Sequence, residues 1–268
     1  MKNKKVIITG GSSGIGKALA YQFGKEGARI LITGRNQASL IAVESSLKSS
    51  GIEVLAFQSD VSKEEDNKAM AQYAIDQWGG IDILINNAGI SMRALFEEVD
   101  LEVIKKVMDI NFYGALYATK YCLPPIIRSK GSVVGISSIA GYRGLPGRVG
   151  YSASKFALQG FLEVLRTEML KKDVHVLTAC PGFTTSNIRK VALTKDGGVQ
   201  GESPRDESKE MSAEECALLI YKATMKRKKH LVLTTQGKLV VWMNKFFPGF
   251  IDKMVYNALA KEPDSPFK

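Results

Sequence analysis

Short, nearly continuous apolar runs alternate along this chain with longer stretches whose apolar positions recur every three or four residues. Lys4–Thr9 is one such run, β-branched and closed by glycine, which is the pattern of a strand buried on both faces. From Gly14 to Glu26 the period changes: Ile15, Leu19, Ala20 and Phe23 share one face of a predicted helix that Gly27 stops. Arg29–Thr33 predicts a second strand and Gln37–Leu47 a second helix. The alternation continues with strands at Glu53–Gln58, Asp82–Ile85, Ser132–Ile136 and His175–Ala179. Helices are predicted near Lys63–Trp78, Leu101–Ile127, Tyr151–Lys171 and Ala213–Lys226. Repeated β-α-β units with apolar strands imply a parallel sheet covered on both sides, and right-handed crossovers make it a doubly wound Rossmann-type α/β fold.

No low-complexity linker interrupts residues 1–268, which predicts one domain. A polar, glycine-containing stretch from about Thr184 to Glu210 has no periodicity; a loop of that length is expected to work as a substrate lid. After a final strand at Leu231–Thr234, two apolar-rich helical segments, Lys238–Phe247 and Phe250–Ala260, flank Pro248-Gly249 and form a C-terminal extension over about 237–260.

Apolar residues make up 45 % of the chain and charged residues 24 %, enough apolar material for a core without disulfides. Cys122, Cys180 and Cys216 are odd in number and form no CxxC pair, while His175 and His230 lie far apart, so no metal site is expected. The basic opening Met1–Lys5 precedes an apolar run too short for a signal peptide, and no run approaches the roughly 20 residues of a membrane span. A reduced, cytoplasmic setting is the expectation. The net charge of +10 comes without any zinc finger or RNP box, so nucleic acid is not an expected partner. Part of it suits a phosphate-rich cofactor. Lys226-Arg-Lys-Lys229 reads as a solvated helix end, with a membrane-surface patch as the alternative.

Thr9-Gly-Gly-Ser-Ser-Gly-Ile-Gly16 falls between the first strand and the first helix. Glycines there let the backbone approach a pyrophosphate, and the helix N-terminus supplies N–H groups and positive dipole. Gly10, Ser12, Ser13, Gly14, Ile15 and Gly16 are the candidate contacts. Further along come Asp60-Val61, Asn86-Asn87-Ala88-Gly89, Asn111, Ser138, Tyr151 with Lys155 four residues on, and Pro181-Gly182. With the TGxxxGxG spacing of the glycine turn, this ordered set resembles the classical short-chain dehydrogenases/reductases over roughly Lys4 to Ser186. The resemblance implies hydride transfer between a nicotinamide cofactor and a carbonyl or alcohol carbon. It also implies that Asp60 and Val61 touch adenine, that Asn87, Ala88 and Gly89 border the adenosine ribose, and that Pro181, Gly182 and Thr184 lie by the nicotinamide, with Ser186 as another hydroxyl there.

The second strand ends in Thr33-Gly34-Arg35, where an NAD enzyme usually places a carboxylate for the ribose 2′-hydroxyl. Gly34 offers no such group and the Arg35 guanidinium suits a phosphate, so NADP(H) is the expected cofactor. Lys4, Lys5, Ser12, Ser13 and Asn36 are further candidate phosphate contacts.

Carbonyl reduction also needs a proton on oxygen. Tyr151 and Lys155 are one helical turn apart, and the ammonium is expected to pull the tyrosine hydroxyl below its ordinary pKa of about 10. Ser138 is the candidate hydrogen-bond donor to the substrate oxygen. By the resemblance, Asn111 anchors a water that relays protons to Lys155, and the paired helices Leu101–Ile127 and Tyr151–Lys171 build a homodimer or homotetramer. Ser91–Ala94 and Tyr142–Val149 should line the pocket mouth, mixing Met92, Leu145 and Val149 with Arg93, Arg143 and Arg148. The C-terminal helical layout resembles relatives acting on steroid-like or lipid-like ketones, with helices that simply cover the core as the equal alternative. A ketoacyl-thioester reductase and a non-catalytic NADP(H)-binding regulator are the alternatives; the complete set of Ser138, Tyr151, Lys155 and Asn111 weighs against the second.

Overall fold

In the computed structural model, which describes residues 1–201, 210–261, 265 and 267, seven strands form one parallel sheet. They are β1 (Lys5–Thr9), β2 (Arg29–Gly34), β3 (Val54–Gln58), β4 (Ile83–Asn86), β5 (Ser132–Ile136), β6 (His175–Cys180) and β7 (His230–Val232). Their spatial order is β3-β2-β1-β4-β5-β6-β7. Winding therefore runs outward from β1 in one direction, then restarts at β4 in the other.

The period-two geometry of a strand explains why these runs are apolar throughout. Val6 and Ile8 of β1, Ile30 and Ile32 of β2, and Ile83 and Ile85 of β4 point to one face of the sheet. There they meet α1 (Gly14–Lys25), α2 (Gln37–Ser49) and α7 (Ala213–Met225). Ile7, Leu31 and Leu84 point to the other face, covered by α3 (Glu64–Trp78), α5 (Gly114–Arg128) and α6 (Val149–Glu168). All three cysteines are buried free thiols within these layers.

Two predicted elements differ from what is observed. The long helix expected over Leu101–Ile127 is α4 (Leu101–Met108) and α5 joined by a π-helical turn, Asp109–Tyr113, that widens the helix at Asn111. The expected strand Leu231–Thr234 ends at Val232, because Thr234 takes φ +64° and becomes the cap of α8 (Thr235–Phe246), its hydroxyl accepting the Gly237 N–H at 3.0 Å. Pro248-Gly249 is the first turn of α9 (Pro248–Ala260); proline suits that place because its missing N–H has no helical partner to lose.

Candidate active site

Every strand ends on the same edge of the sheet, and the crevice opens where the winding reverses, between β1 and β4. The turn from β1 into α1 forms its floor. Gly10 and Gly14 adopt φ +66° and +50°, which L side chains rarely tolerate. At Gly16 a Cβ would stand 2.2 Å from the Gly10 carbonyl oxygen and 2.5 Å from Asn87 Nδ2, so only glycine fits. Asn87 holds this turn: its Nδ2 donates to the carbonyls of Thr9 and Gly10 at 2.9 and 3.1 Å. The Thr9 hydroxyl in turn accepts the N–H groups of Asn87 and Ala88, each at 3.0 Å. Ser13 precedes α1 without a side-chain capping bond, leaving the helix N-terminus facing the cavity. A backbone cradle at a helix N-terminus fits the pyrophosphate of a dinucleotide.

Most of the other anticipated contacts border the same cavity, which encloses about 740 Å³; Asn36 does not, its Oδ1 accepting the Ser39 N–H at 2.9 Å at the start of α2. Gly34 and Arg35 close one end, at the C-terminal tip of β2. Asp60 and Val61 lie beside them; Asp60 Oδ1 accepts both the N–H and the hydroxyl of Ser62, at 3.1 and 2.7 Å, which organises the turn. Asn87, Ala88 and Gly89, then Pro181, Gly182, Thr184 and Ser186, continue the wall. Lys4 and Lys5 are a correction. Lys5 begins β1 and Lys4 precedes it, a strand's length of about 16 Å from the cavity end, and Lys4 Nζ pairs with Asp82 at 2.7 Å.

Tyr151, Lys155 and Ser138 meet at the opposite end of the cavity. Lys155 is only 4 % exposed, its Nζ donating to the Ile136 carbonyl at 2.9 Å and lying 5.7 Å from the Tyr151 ring centre. Burial disfavours the ammonium and lowers its pKa to about 8. The expected depression of Tyr151 is reversed: burial pushes its hydroxyl up, against a hydrogen bond from Ser138 and the positive charges of Arg148 and Arg189. Desolvation outweighs these neighbours because a buried phenolate gives up its hydration.

Asn111 does not border the cavity. Its Oδ1 accepts the Ile90 N–H at 2.8 Å, while Nδ2 donates to the Ile90 carbonyl and to Ser154 Oγ, each at 2.9 Å. Both Nδ2 hydrogens and one of the two acceptor positions of Oδ1 clasp the loop after β4 to α6. The π-helical turn brings it there.

At the mouth, Ser91, Leu145 and Arg148 line the cavity as anticipated, with Arg148 donating to Ser91 Oγ at 2.9 Å. Met92 instead belongs to a buried cluster with Val103, Val107 and Leu193, and Arg143 turns away to Asn244 of α8 and Asp252 of α9. The segment expected to act as a substrate lid is held down over 184–201: Leu193 donates to Ser91 and accepts from Arg93, and Arg189 forms a buried ion pair with Glu210. Residues 202–209 of that lid lie outside the described residues. Sequence patterning did not single out Arg189, whose charge reaches Tyr151 across the fold. Nor did it place Met254, Val255, Ala258 and Leu259 of α9, which complete the apolar wall.

The family model for short chain dehydrogenase matches residues 4–196. Dehydrogenase/reductase SDR family member 7B from Mus musculus is 33 % identical over 99 % of this chain and 84 % of its own length. An 11-beta-hydroxysteroid dehydrogenase from Pinus massoniana is 34 % identical over 92 % of this chain and 70 % of its own. Among solved structures, a short chain dehydrogenase/reductase from Burkholderia phymatum in complex with NAD superposes with a TM-score of 0.84. It is 21 % identical, covering 93 % of this chain and 95 % of that one, a likeness of fold. The chain belongs to the short chain dehydrogenase family and is an oxidoreductase.

The buried Lys155 makes a stability effect measurable without substrate. Its folded pKa of about 8 lies below the ordinary 10.5, so from pH 8 upward the unfolded chain binds the extra proton and the folded state gains. Wild type should gain on the order of 2–3 kcal/mol relative to Lys155→Met between pH 8 and 10, read by urea unfolding. A constant difference across that range refutes the buried ammonium.

Proposed function

We propose that this protein is an NADP(H)-dependent enzyme interconverting a ketone or aldehyde with an alcohol, on a steroid-like or lipid-like substrate. The observation that carries the reading is the convergence, in one cavity, of the β1–α1 glycine turn and Arg35 at one end with Ser138, Tyr151 and Lys155 at the other.

The glycine turn and the N-terminus of α1 would hold a pyrophosphate, Asp60 and Val61 the adenine, and Arg35 the 2′-phosphate, with no carboxylate at Gly34 to repel it. Asn87, Ala88 and Gly89 would border the adenosine ribose, and Pro181, Gly182 and Thr184 the nicotinamide, whose chemistry is to supply or accept the hydride. The protein moves the proton. Tyr151, kept protonated by burial, gives its hydroxyl hydrogen to the carbonyl oxygen in reduction and takes it back in oxidation. Ser138 Oγ accepts the Ala140 N–H at 3.1 Å, which leaves its own hydrogen for the substrate oxygen or for Tyr151. Lys155, with a pKa near 8, is positioned by the Ile136 carbonyl to exchange a proton with Tyr151's surroundings.

Support for an apolar substrate comes from the wall itself, where Leu145, Val240, Met254, Val255 and Leu259 face the cavity. Hydroxysteroid dehydrogenase names among the relatives point the same way. The outer faces of α5 and α6 leave Tyr113 beside α5, and Phe156 and Val164 on α6, exposed, which supports self-association through these two helices. Light scattering should give a dimer or tetramer at micromolar concentration; a monomer there removes this part of the reading.

Tyr151→Phe should lower turnover on a hydrophobic ketone by about 10²-fold or more while NADPH affinity stays near wild type. Wild-type turnover in a chemistry-limited assay would remove Tyr151 as the proton donor. Arg35→Ala should weaken NADPH by one to two decades, the equivalent of about 1.5–3 kcal/mol for charge-assisted contacts, with NADH nearly unaffected. Equal weakening of both cofactors, by fluorescence titration, rules out a 2′-phosphate contact.

A further inference from the structure

Helices α8 and α9 carry apolar residues on two sides, and the cavity uses only one. Val240, Val255 and Leu259 face inward to the cavity, and Ile251 is buried beside them. On the outside, Leu239, Trp242 and Phe246 stand at positions i, i+3 and i+7 of α8, a single stripe. Phe247 stands at the joint between the two helices, and Phe250 and Met254 are one turn apart on α9. Leu239, Trp242, Phe246, Phe247 and Phe250 are 54–59 % exposed. Trp242 has ring centres of Phe246 and Phe247 at 5.4 and 6.5 Å, so this is one contiguous aromatic surface. Scattered apolar side chains are ordinary on a protein surface, whereas a contiguous cluster marks a contact site.

Charge selects the occupant. Residues 235–261 contain Lys238, Lys245, Lys253 and Lys261, all exposed, against a single acid, Asp252, which is ion-paired with Arg143. Lys245 Nζ lies 5.7 Å from the Phe246 ring centre, so a cation stands at the edge of the aromatic surface. A second copy packed symmetrically on this face would bring lysines against lysines, an unfavourable juxtaposition. An anionic lipid surface matches both parts. Aromatic rings enter the headgroup–acyl boundary and lysines reach the phosphates. No helix among the described residues is long and apolar enough to cross a membrane, so contact through this face would be peripheral.

We infer that the outer face of α8 and α9 docks the protein on an anionic bilayer surface, with Met254, which belongs both to that face and to the cavity wall, on the route between them. The docking stands on the surface alone; only the route rests on reading the cavity as a substrate site.

The test uses the full chain and no substrate, so its outcome is separable from the reaction proposed above. Trp78→Phe leaves Trp242 as the only tryptophan. With vesicles of phosphatidylcholine and phosphatidylglycerol, its emission should shift to the blue and be quenched by lipids brominated in the acyl chain. Binding should weaken with added salt. The combined Lys238→Glu, Lys245→Glu and Lys253→Glu variant should partition about 10²-fold or more less strongly. Phe246→Ser with Phe250→Ser should abolish quenching at an unchanged melting temperature, since both side chains are exposed. The proposal fails if the protein does not sediment with anionic vesicles, or if it partitions equally onto phosphatidylcholine alone. It also fails if the serine substitutions dissociate an oligomer by light scattering, which would assign the face to a second copy.

Discussion

The parallel sheet imposes the constraint on which the rest of the molecule depends. Parallel strands cannot be joined by tight turns, so each connection crosses over a face of the sheet and every strand delivers its next loop to the same edge. Because winding restarts in the opposite direction at β4, the loops after β1 and β4 part and leave a crevice. Asn87 and Thr9 keep the two sides in register through four short hydrogen bonds, and Gly16 has no Cβ because those groups already occupy its space. Asn111 repeats the device one loop further out, fixing the chain after β4 to the helix that carries Tyr151 and Lys155.

Burial acts on these two side chains in opposite directions. It raises the phenol and lowers the ammonium, so both neutral forms are favoured and the gap between their proton affinities changes relative to water. Ser138, Arg148 and Arg189 act against burial at Tyr151, the first through a hydrogen bond and the others through charge. A hydroxyl whose proton affinity is set by several groups from different elements is sensitive to how the loops around the cavity pack. The buried Arg189–Glu210 pair places that sensitivity in the segment after β6.

The C-terminal helices are where the chain spends apolar residues beyond what its two main core layers need. Their inner positions complete a cavity that the parallel sheet leaves open on one side. Their outer positions leave aromatic rings in solvent, ringed by lysine. Arg143, bonded to Asn244 and Asp252, and Asn244 Nδ2, donating to the Tyr142 carbonyl at 3.0 Å, hold the helices to the loop after β5. Access to the cavity and placement of the exposed rings are therefore set by the same contacts.

Local signals were enough to read the sheet from the chain. β-Branched runs such as Val6–Ile8 and Ser132–Ile136 are short and bounded, and helices α1 and α3 end at glycines with few other roles. The glycine turn was legible for the same reason, since only a backbone needing close approach places glycines so densely between a strand and a helix. Tyr151 and Lys155 were legible as a pair because four residues on a helix fix their relation. What the sequence could not contain was distance between elements. It gave no sign that Asn111 is bonded to Ile90 and Ser154, or that Arg189 reaches the field of Tyr151. Nor did it show that Lys4 stands before the start of β1, at the far end of that strand from the glycine turn. The direction of the Tyr151 shift belongs to this second group: an ammonium one turn away is a local fact, but the desolvation that overrides it is produced by every element packed around the cavity, and only the tertiary structure brings those together.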